Sequence, residues 1–320
     1  MFGYVVRRLL WSIPILFIAS VLVFAAVRST TNPAALRGPG VRAEDIQRYE
    51  EQLGLNKPLT EQYTTWLGNF VRGDLGTSLT TRKPVWPELR DAIFNTLQLG
   101  GIAFAVTIIL GVSIGTLAAI KQYSWFDSLT TGGAFVGLSF PPFFFGLVAQ
   151  IVLVLSFKEW FGDTPFFTSR MNSPGQSGFG WDRLMHLVLP VMTIAVQAVA
   201  IYSRYMRASM LEVLNSDYLR TARSKGISER RVIFRHGVRN ALIPVVSFAA
   251  IDVGAIIGGL VITEQIFEWP GMGRYFLQAL GAGDYVRILP WAMLVVASVI
   301  VFNLIADLLY GVLDPRIRLR

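Results

Sequence analysis

Few side chains in this chain can attack a carbon, hold a metal or pass a proton, and those few are widely separated. Cys is absent from the 320 residues, and His186 and His236 are the only His. Without Cys there is no disulfide framework, thiolate metal site or Cys nucleophile. Neither His is followed by the spacing that would place a second ligand one helical turn on, so there is no H-E-x-x-H motif. The phosphate-cradling G-x-x-x-x-G-K-[ST] loop is also missing, which excludes ATP binding by that route. One G-x-S-x-G runs from Gly111 to Gly115 around Ser113. It lies in an uncharged run with no strand-turn-helix elbow and no His base, and is read as a chance match.

The polar groups that remain stand inside apolar runs. Asp252 and Asp307 are costly in a bilayer and would face protein or water, so either a proton relay or a hydrogen-bonded seam fits them. Asn303, Asp307, Tyr310 and Asp314 recur at spacings that put them on one helical face. Asp252 suits a wet cavity or a buried structural pair. Pro141 and Pro142 interrupt another apolar run and leave carbonyls without helix donors, at a pathway kink or an irregular packing site. Gly111 and Gly115, Gly133 and Gly137, and Gly254 and Gly258 form G-x-x-x-G pairs that permit close helix approach. His186, one turn before Pro190, reads as an interfacial residue.

The elements that position these groups follow from composition. The chain is 53% hydrophobic and 16% charged, with mean hydropathy +0.50, against about 25% charged residues in soluble domains. Segments 9–27, 92–120, 128–157, 184–203, 241–263 and 288–313 each supply roughly the 20 apolar residues that a bilayer helix needs. The expectation is an all-α polytopic membrane protein with six transmembrane helices. Arg7 and Arg8 precede a first run too long for a signal-peptide core, so it is expected to stay as an uncleaved helix. With the N-terminus inside, segments 1–8, 121–127, 204–240 and 314–320 hold 15 basic residues against five acidic ones. That excess orients both termini to the cytoplasm, and the formal charge of +8 needs no nucleic acid to explain it. The division expected is 1–91, a first helix with an extracytoplasmic loop bearing short helices, and 92–320, a five-helix core. In the loop, 43–53 closed by Gly54, and Tyr63, Trp66, Leu67 and Phe70 after Pro58, have helical spacing.

Segment 204–240 is the most informative loop. Asp217 is an expected N-cap for a helix over 218–225, Gly226 suits a left-handed ending, and Ser228 caps a second helix through to Asn240, with Pro244 just inside the following span. A basic helix pair of this kind suits either anionic lipid or a partner protein. The run Tyr218-Leu219-Arg220-Thr221-Ala222-Arg223-Ser224-Lys225-Gly226, followed by His236, Arg239, Asn240 and Pro244, resembles the EAA loop of ABC importer permeases, in the form found in the dipeptide and oligopeptide (and nickel) permease family. Arg220 and Thr221 stand where the Glu and first Ala would be, a departure shared by the peptide branch. The resemblance extends to Arg7-Arg8-Leu9, Leu53-Gly54-Leu55, Gly73-Asp74-Leu75-Gly76, EQIFEWPGMG at 264–273, and 303–316 ending Leu313-Asp314-Pro315-Arg316.

The resemblance implies a type I ABC importer permease fold in the inner (plasma) membrane. It implies no cofactor on this chain and ATP with Mg on separate cytoplasmic subunits. Further expected partners are a second homologous permease subunit, an extracytoplasmic substrate-binding protein and a peptide substrate. Asp217, Tyr218, Arg220, Thr221, Ala222, Arg223, Lys225, Gly226, Ser228, Arg230, Arg231, His236, Asn240 and Pro244 would then form the ATPase-coupling loop. Asp252, Asn303, Asp307, Pro141 and Pro142 would form the pathway or a seam. Nickel and glutathione are alternative cargoes in related branches, and a proton-coupled secondary transporter is the rival from another class. An intramembrane enzyme would need a nucleophile with a base or metal, which the two distant His do not supply.

Overall fold

The computed structural model describes residues 2–30, 54, 56–162, 164, 166–257 and 260–313, excepting the side chains of 2–5, 30, 251, 254, 255, 257, 306, 307 and 309–313. The expected helix at 43–53, Gly258, and Asp314 to Arg316 lie outside the described residues, as do the side chains of Asp307 and Tyr310. Among the described residues the elements are helical: α1 (Phe2–Thr30), α2 (Leu59–Val71), α3 (Val85–Ile120), α4 (Trp125–Ser139), α5 (Pro142–Phe161), α6 (Trp181–Leu214), α7 (Asp217–Ser224), α8 (229–257), α9 (Val261–Ile266), α10 (Met272–Gly281) and α11 (Tyr285–Leu313). Helix α5 contains a π turn at Gln150–Leu155, and α8 contains one at Val232–Gly237.

Among the described residues five helices, α1, α3, α5, α6 and α11, are long and apolar enough to cross a membrane. The expected span 241–263 is represented by Val238–Ile257 of α8 and then α9, a separate helix. The expected single span 128–157 is two helices. Phe140 and Pro141 adopt extended backbone between them, because Pro141 and Pro142 supply no N–H to the turn before and Phe140 is pushed out of the helical region.

The centre of the bundle is the pair α3 and α6. On α3, Leu89, Ala92, Thr96, Leu99, Ala103, Thr107, Gly111 and Gly115 form a buried stripe at helical spacing. In a bilayer such a pair is held by close packing, since lipid tails are as apolar as Leu. A Cβ on Gly115 would stand 2.4 Å from the Ser203 carbonyl, and one on Gly111 would stand 2.6 Å from Tyr202 Cβ. The G-x-x-x-G at 111–115 is thus a helix contact, and Ser113 sits in mid-helix with no elbow. Gly133 has open space around it, so the 133–137 pair does not serve the same purpose. Helix α2 packs Tyr63 and Trp66 against Phe24 of α1, and Ser20 of α1 hydrogen-bonds the Tyr63 hydroxyl at 2.7 Å.

Candidate functional site

Helix α7 projects from the end of α6. Asp217, expected as its N-cap, is its first helical residue; the cap is Ser216, with extended backbone. Asp217 instead lies one turn before Arg220, 3.5 Å from its guanidinium, and both are well exposed. The helix closes as the sequence expects. Gly226 has φ +73°, its N–H donates to the Arg223 carbonyl, and the Ile227 N–H donates to the Ala222 carbonyl. This pair of bonds is the Schellman ending, in which a left-handed residue follows the C-cap. A Cβ at Gly226 would meet open space, so the backbone angle alone makes glycine the fitting residue.

Three contacts hold this projection. Leu219 is fully buried, as are Met210 of α6 and Val232 of α8. The Tyr218 hydroxyl accepts from Asn240 Nδ2 at 2.8 Å, joining the two halves of the motif, and the same amide donates to the His236 carbonyl at 3.1 Å. Arg223 donates from Nε and Nη2 to the two carboxylate oxygens of Glu229 at 3.0 and 2.9 Å. That bidentate bond holds the Glu229 carboxyl below its ordinary value and raises the Arg223 guanidinium. Ser228 caps the start of α8 by backbone geometry without a side-chain bond. Thr221, Lys225, Arg230, Arg231 and Pro244 are exposed, while Ala222 and His236 are half-buried.

Within the apolar bundle, Asp252 accepts at 2.8 Å from the Tyr202 hydroxyl. Its direct partner is therefore a neutral donor on α6. Asn303 is exposed on α11. The break at Pro141 and Pro142 borders a cavity of about 290 Å³ that Gly133, Gly137, Phe140, Thr193 and Gln197 also line. His186, expected at the interface, is buried: its ring stacks on Phe167 at 4.0 Å and Nδ1 lies 2.8 Å from the Asp182 carbonyl. Among the described residues no group of His, Asp and Glu could hold a metal.

Sequence reasoning missed two constellations. Asp127 of α4 is clasped by Arg207 of α6, with Nε to Oδ1 at 2.6 Å and Nη2 to Oδ2 at 2.8 Å. The second lies in the EQIFEWPGMG motif. Glu264 is fully buried and accepts from the Thr96 hydroxyl at 2.6 Å, the Gly273 N–H at 2.7 Å and the Arg274 N–H at 3.1 Å. A carboxylate aimed at the first N–H groups of α10 satisfies donors that no helix turn can reach. Thr96 also accepts from the Met272 N–H at 2.7 Å, and Trp269 Nε1 donates to the Asn95 carbonyl at 2.8 Å. A Cβ on Gly273 would stand 2.4 Å from Val261 Cα, which explains the glycine ending the motif. Its signal in the sequence is a Glu directly after the uncharged end of a span, nine positions before a glycine.

The described residues form an apolar helix bundle with a basic helical projection at α7 and a buried cap around Glu264. Residues 111–319 match the family model of the binding-protein-dependent transport system inner membrane component, and residues 1–100 match that of the N-terminal membrane component of the same systems. The chain belongs to this family, the permease subunits of ABC importers, and is a multi-pass membrane protein. It is 39% identical over 322 residues, 99% of each chain, to the oligopeptide transport system permease protein AppB of Bacillus subtilis (strain 168). It is 38% identical to the dipeptide transport system permease protein DppB of Alkalihalophilus pseudofirmus, covering 99% of this chain and 100% of that one. It is also 38% identical, over 99% of both chains, to the glutathione transport system permease protein GsiC of an Escherichia coli O6:H1 strain.

Proposed function

We propose that the chain is one half of the translocation path of a peptide importer, paired with a second homologous permease subunit. An extracytoplasmic binding protein feeds the path, and ATP with Mg is hydrolysed on separate cytoplasmic subunits. The observation that carries this reading is mechanical. Helix α7 is a compact exposed projection pinned by Leu219 and by the bond from Asn240 to Tyr218, and Asn240 lies on α8, which continues into the bundle. A push on α7 is thereby delivered to the helix that holds Asp252. Exposed Arg220, Lys225, Arg230 and Arg231 supply the face for an ATPase groove. The charge distribution supports cytoplasmic termini. In this reading 1–91 is the peripheral part and 92–320 the core. Asp252, Asn303, Asp307 and the break at Pro141 and Pro142 are the polar lining or seam.

The relatives named for oligopeptides and dipeptides support peptide cargo. The relative named for glutathione supports that compound as a second reading. The test is uptake by the reconstituted transporter, with labelled di- and oligopeptides and with glutathione, which should require both ATP and binding protein. Gly226→Val should keep expression and insertion but lose most ATP-driven uptake, because a β-branched residue at this angle costs about 1–3 kcal/mol and misdirects the projection. Uptake driven by a proton gradient without the ATPase would overturn the reading.

A further inference from the structure

A cavity of about 580 Å³ opens between α4 and α6, at the end of the bundle where the basic segment begins, and is lined by Thr131, Phe135, Ile201, Arg204, Tyr205 and Arg207. Its two cations are not equivalent. Arg207 is neutralised by the bidentate clasp on Asp127. Arg204 lies over the Phe135 ring, 4.9 Å from its centroid, and forms no ion pair among the described residues. Among the described residues, the cavity therefore carries one guanidinium without a carboxylate partner, and is lined also by Tyr205 and Thr131, with apolar walls from Phe135 and Ile201.

The depth of the site narrows its occupant. Arg204 is the first charge after the uncharged run 184–203, so it stands where hydrocarbon gives way to headgroups. Tyr205 and Phe135 are exposed there, in the manner of side chains that sit at a membrane interface. Tyr205 is itself held flat against Phe248 of α8, with ring centroids 5.0 Å apart, so the wall is preorganised. A single guanidinium fork matches a monoanionic phosphodiester, and the apolar walls match the acyl chains that begin below it. We infer that this cavity binds the headgroup of an anionic phospholipid, with Arg204 on the phosphate.

The experiment uses the assembled transporter in nanodiscs of phosphatidylcholine containing a minority of phosphatidylglycerol. Retained lipid is read by native mass spectrometry, and a photoactivatable phosphatidylglycerol is mapped by its crosslinks. The wild type should retain phosphatidylglycerol in preference to phosphatidylcholine, with crosslinks at Phe135 and Tyr205. Arg204→Gln should cut that retention severalfold and Arg204→Lys should cut it less. Arg235→Ala, at an exposed basic residue of the same segment, should leave it unchanged, separating this site from diffuse attraction to the basic segment. Retention that survives Arg204→Gln, or crosslinks that map elsewhere on the wild type, would overturn the site. Displacement by inorganic phosphate would assign a free-anion site in its place. Displacement by a peptide with a free C-terminus but not by its amide would assign the cavity to cargo.

Discussion

Glu264 and Glu229 are both carboxylates at the start of a helix, yet their surroundings differ in kind. Glu264 is fully buried, accepts three hydrogen bonds and ties α10 to Thr96 of α3, far away in sequence. Glu229 is exposed, binds Arg223 six residues before it, and ties only neighbouring pieces of one loop. The first arrangement fixes a cap to the central helix, since each donor would be stranded if the cap shifted. The second leaves α7 with one apolar pin, Leu219, and otherwise with contacts that water can replace. In the proposed reading, the Glu264 end is a rigid buttress and α7 is the lever through which a partner's force would enter.

Breaking the buttress should have the largest effect. Gly273→Val places a branched side chain against the Val261 backbone, where a Cβ alone would come within 2.4 Å of Cα. Backbone cannot turn aside as a side-chain tip can, so overpacking here should cost about 3 kcal/mol or more. The expected outcome is a sharp fall in folded yield and in melting temperature in detergent. A protein of normal melting temperature would show that this end is as pliant as the other.

Removing the pin of the lever should separate stability from coupling. Leu219→Ala deletes a buried side chain, and because α7 borders solvent and can settle, the cost should fall near the lower end of the range for such changes, about 2 kcal/mol. The bundle's melting temperature should change little, while retention of the ATPase and ATP-driven uptake should fall together. Equal loss of both stability and coupling would mean that α7 is part of the core and not a lever.

The clasp between Asp127 and Arg207 lies between these cases. It joins α4 to α6, with Asp127 buried and Arg207 partly open to solvent. Asp127→Asn keeps the shape but leaves the guanidinium with a neutral acceptor, which should cost about 1.5 kcal/mol. Thermal unfolding of the purified chain measures this, and Arg207→Lys should keep less than half of the pair's contribution, because an ammonium lacks the planar fork that meets both carboxylate oxygens in parallel.

Much of this contrast was legible before any coordinates. Uncharged runs mark α1, α3, α6 and α11 because a bilayer permits little else, but they do not show the break at Pro141 or the end of the helix at Ile257. Gly226 marks the end of α7 because few residues tolerate its angle. Asp217 was misplaced by one residue because Ser216 and Asp217 are both good caps, and local chemistry does not choose between adjacent candidates. Nothing local pairs Glu264 with Thr96 or Asp127 with Arg207, partners 168 and 80 residues apart. Such pairs follow from how helices are arranged, which periodicity along one strand of sequence does not encode. Leu219 stands inside the same motif as Gly226, but one leucine in a mostly polar helix is as readily an exposed residue as a pin.

The smallest expected effect tests whether the lever's polar contacts matter to its stiffness. Glu229 has its carboxyl held below its ordinary value by Arg223, so its contribution is present above the unfolded carboxyl's titration and is lost as pH falls through the lowered folded value. Both side chains are substantially exposed, at 38% for Arg223 and 56% for Glu229, which limits the pair to about 0.2–1 kcal/mol. Glu229→Gln should therefore leave the melting temperature of the bundle almost unchanged at neutral pH. It should speed amide hydrogen exchange in 217–231 by a small factor, with no difference in 85–120. Acidifying the wild type below the ordinary carboxylate range should reproduce that local increase, and the variant, having no carboxyl at 229, should not show it. High salt should act in the same direction on the wild type, since an exposed pair is screened. An equal acid response in both proteins would assign the local opening to other groups and leave Leu219 and the Asn240–Tyr218 bond as the ties that hold α7.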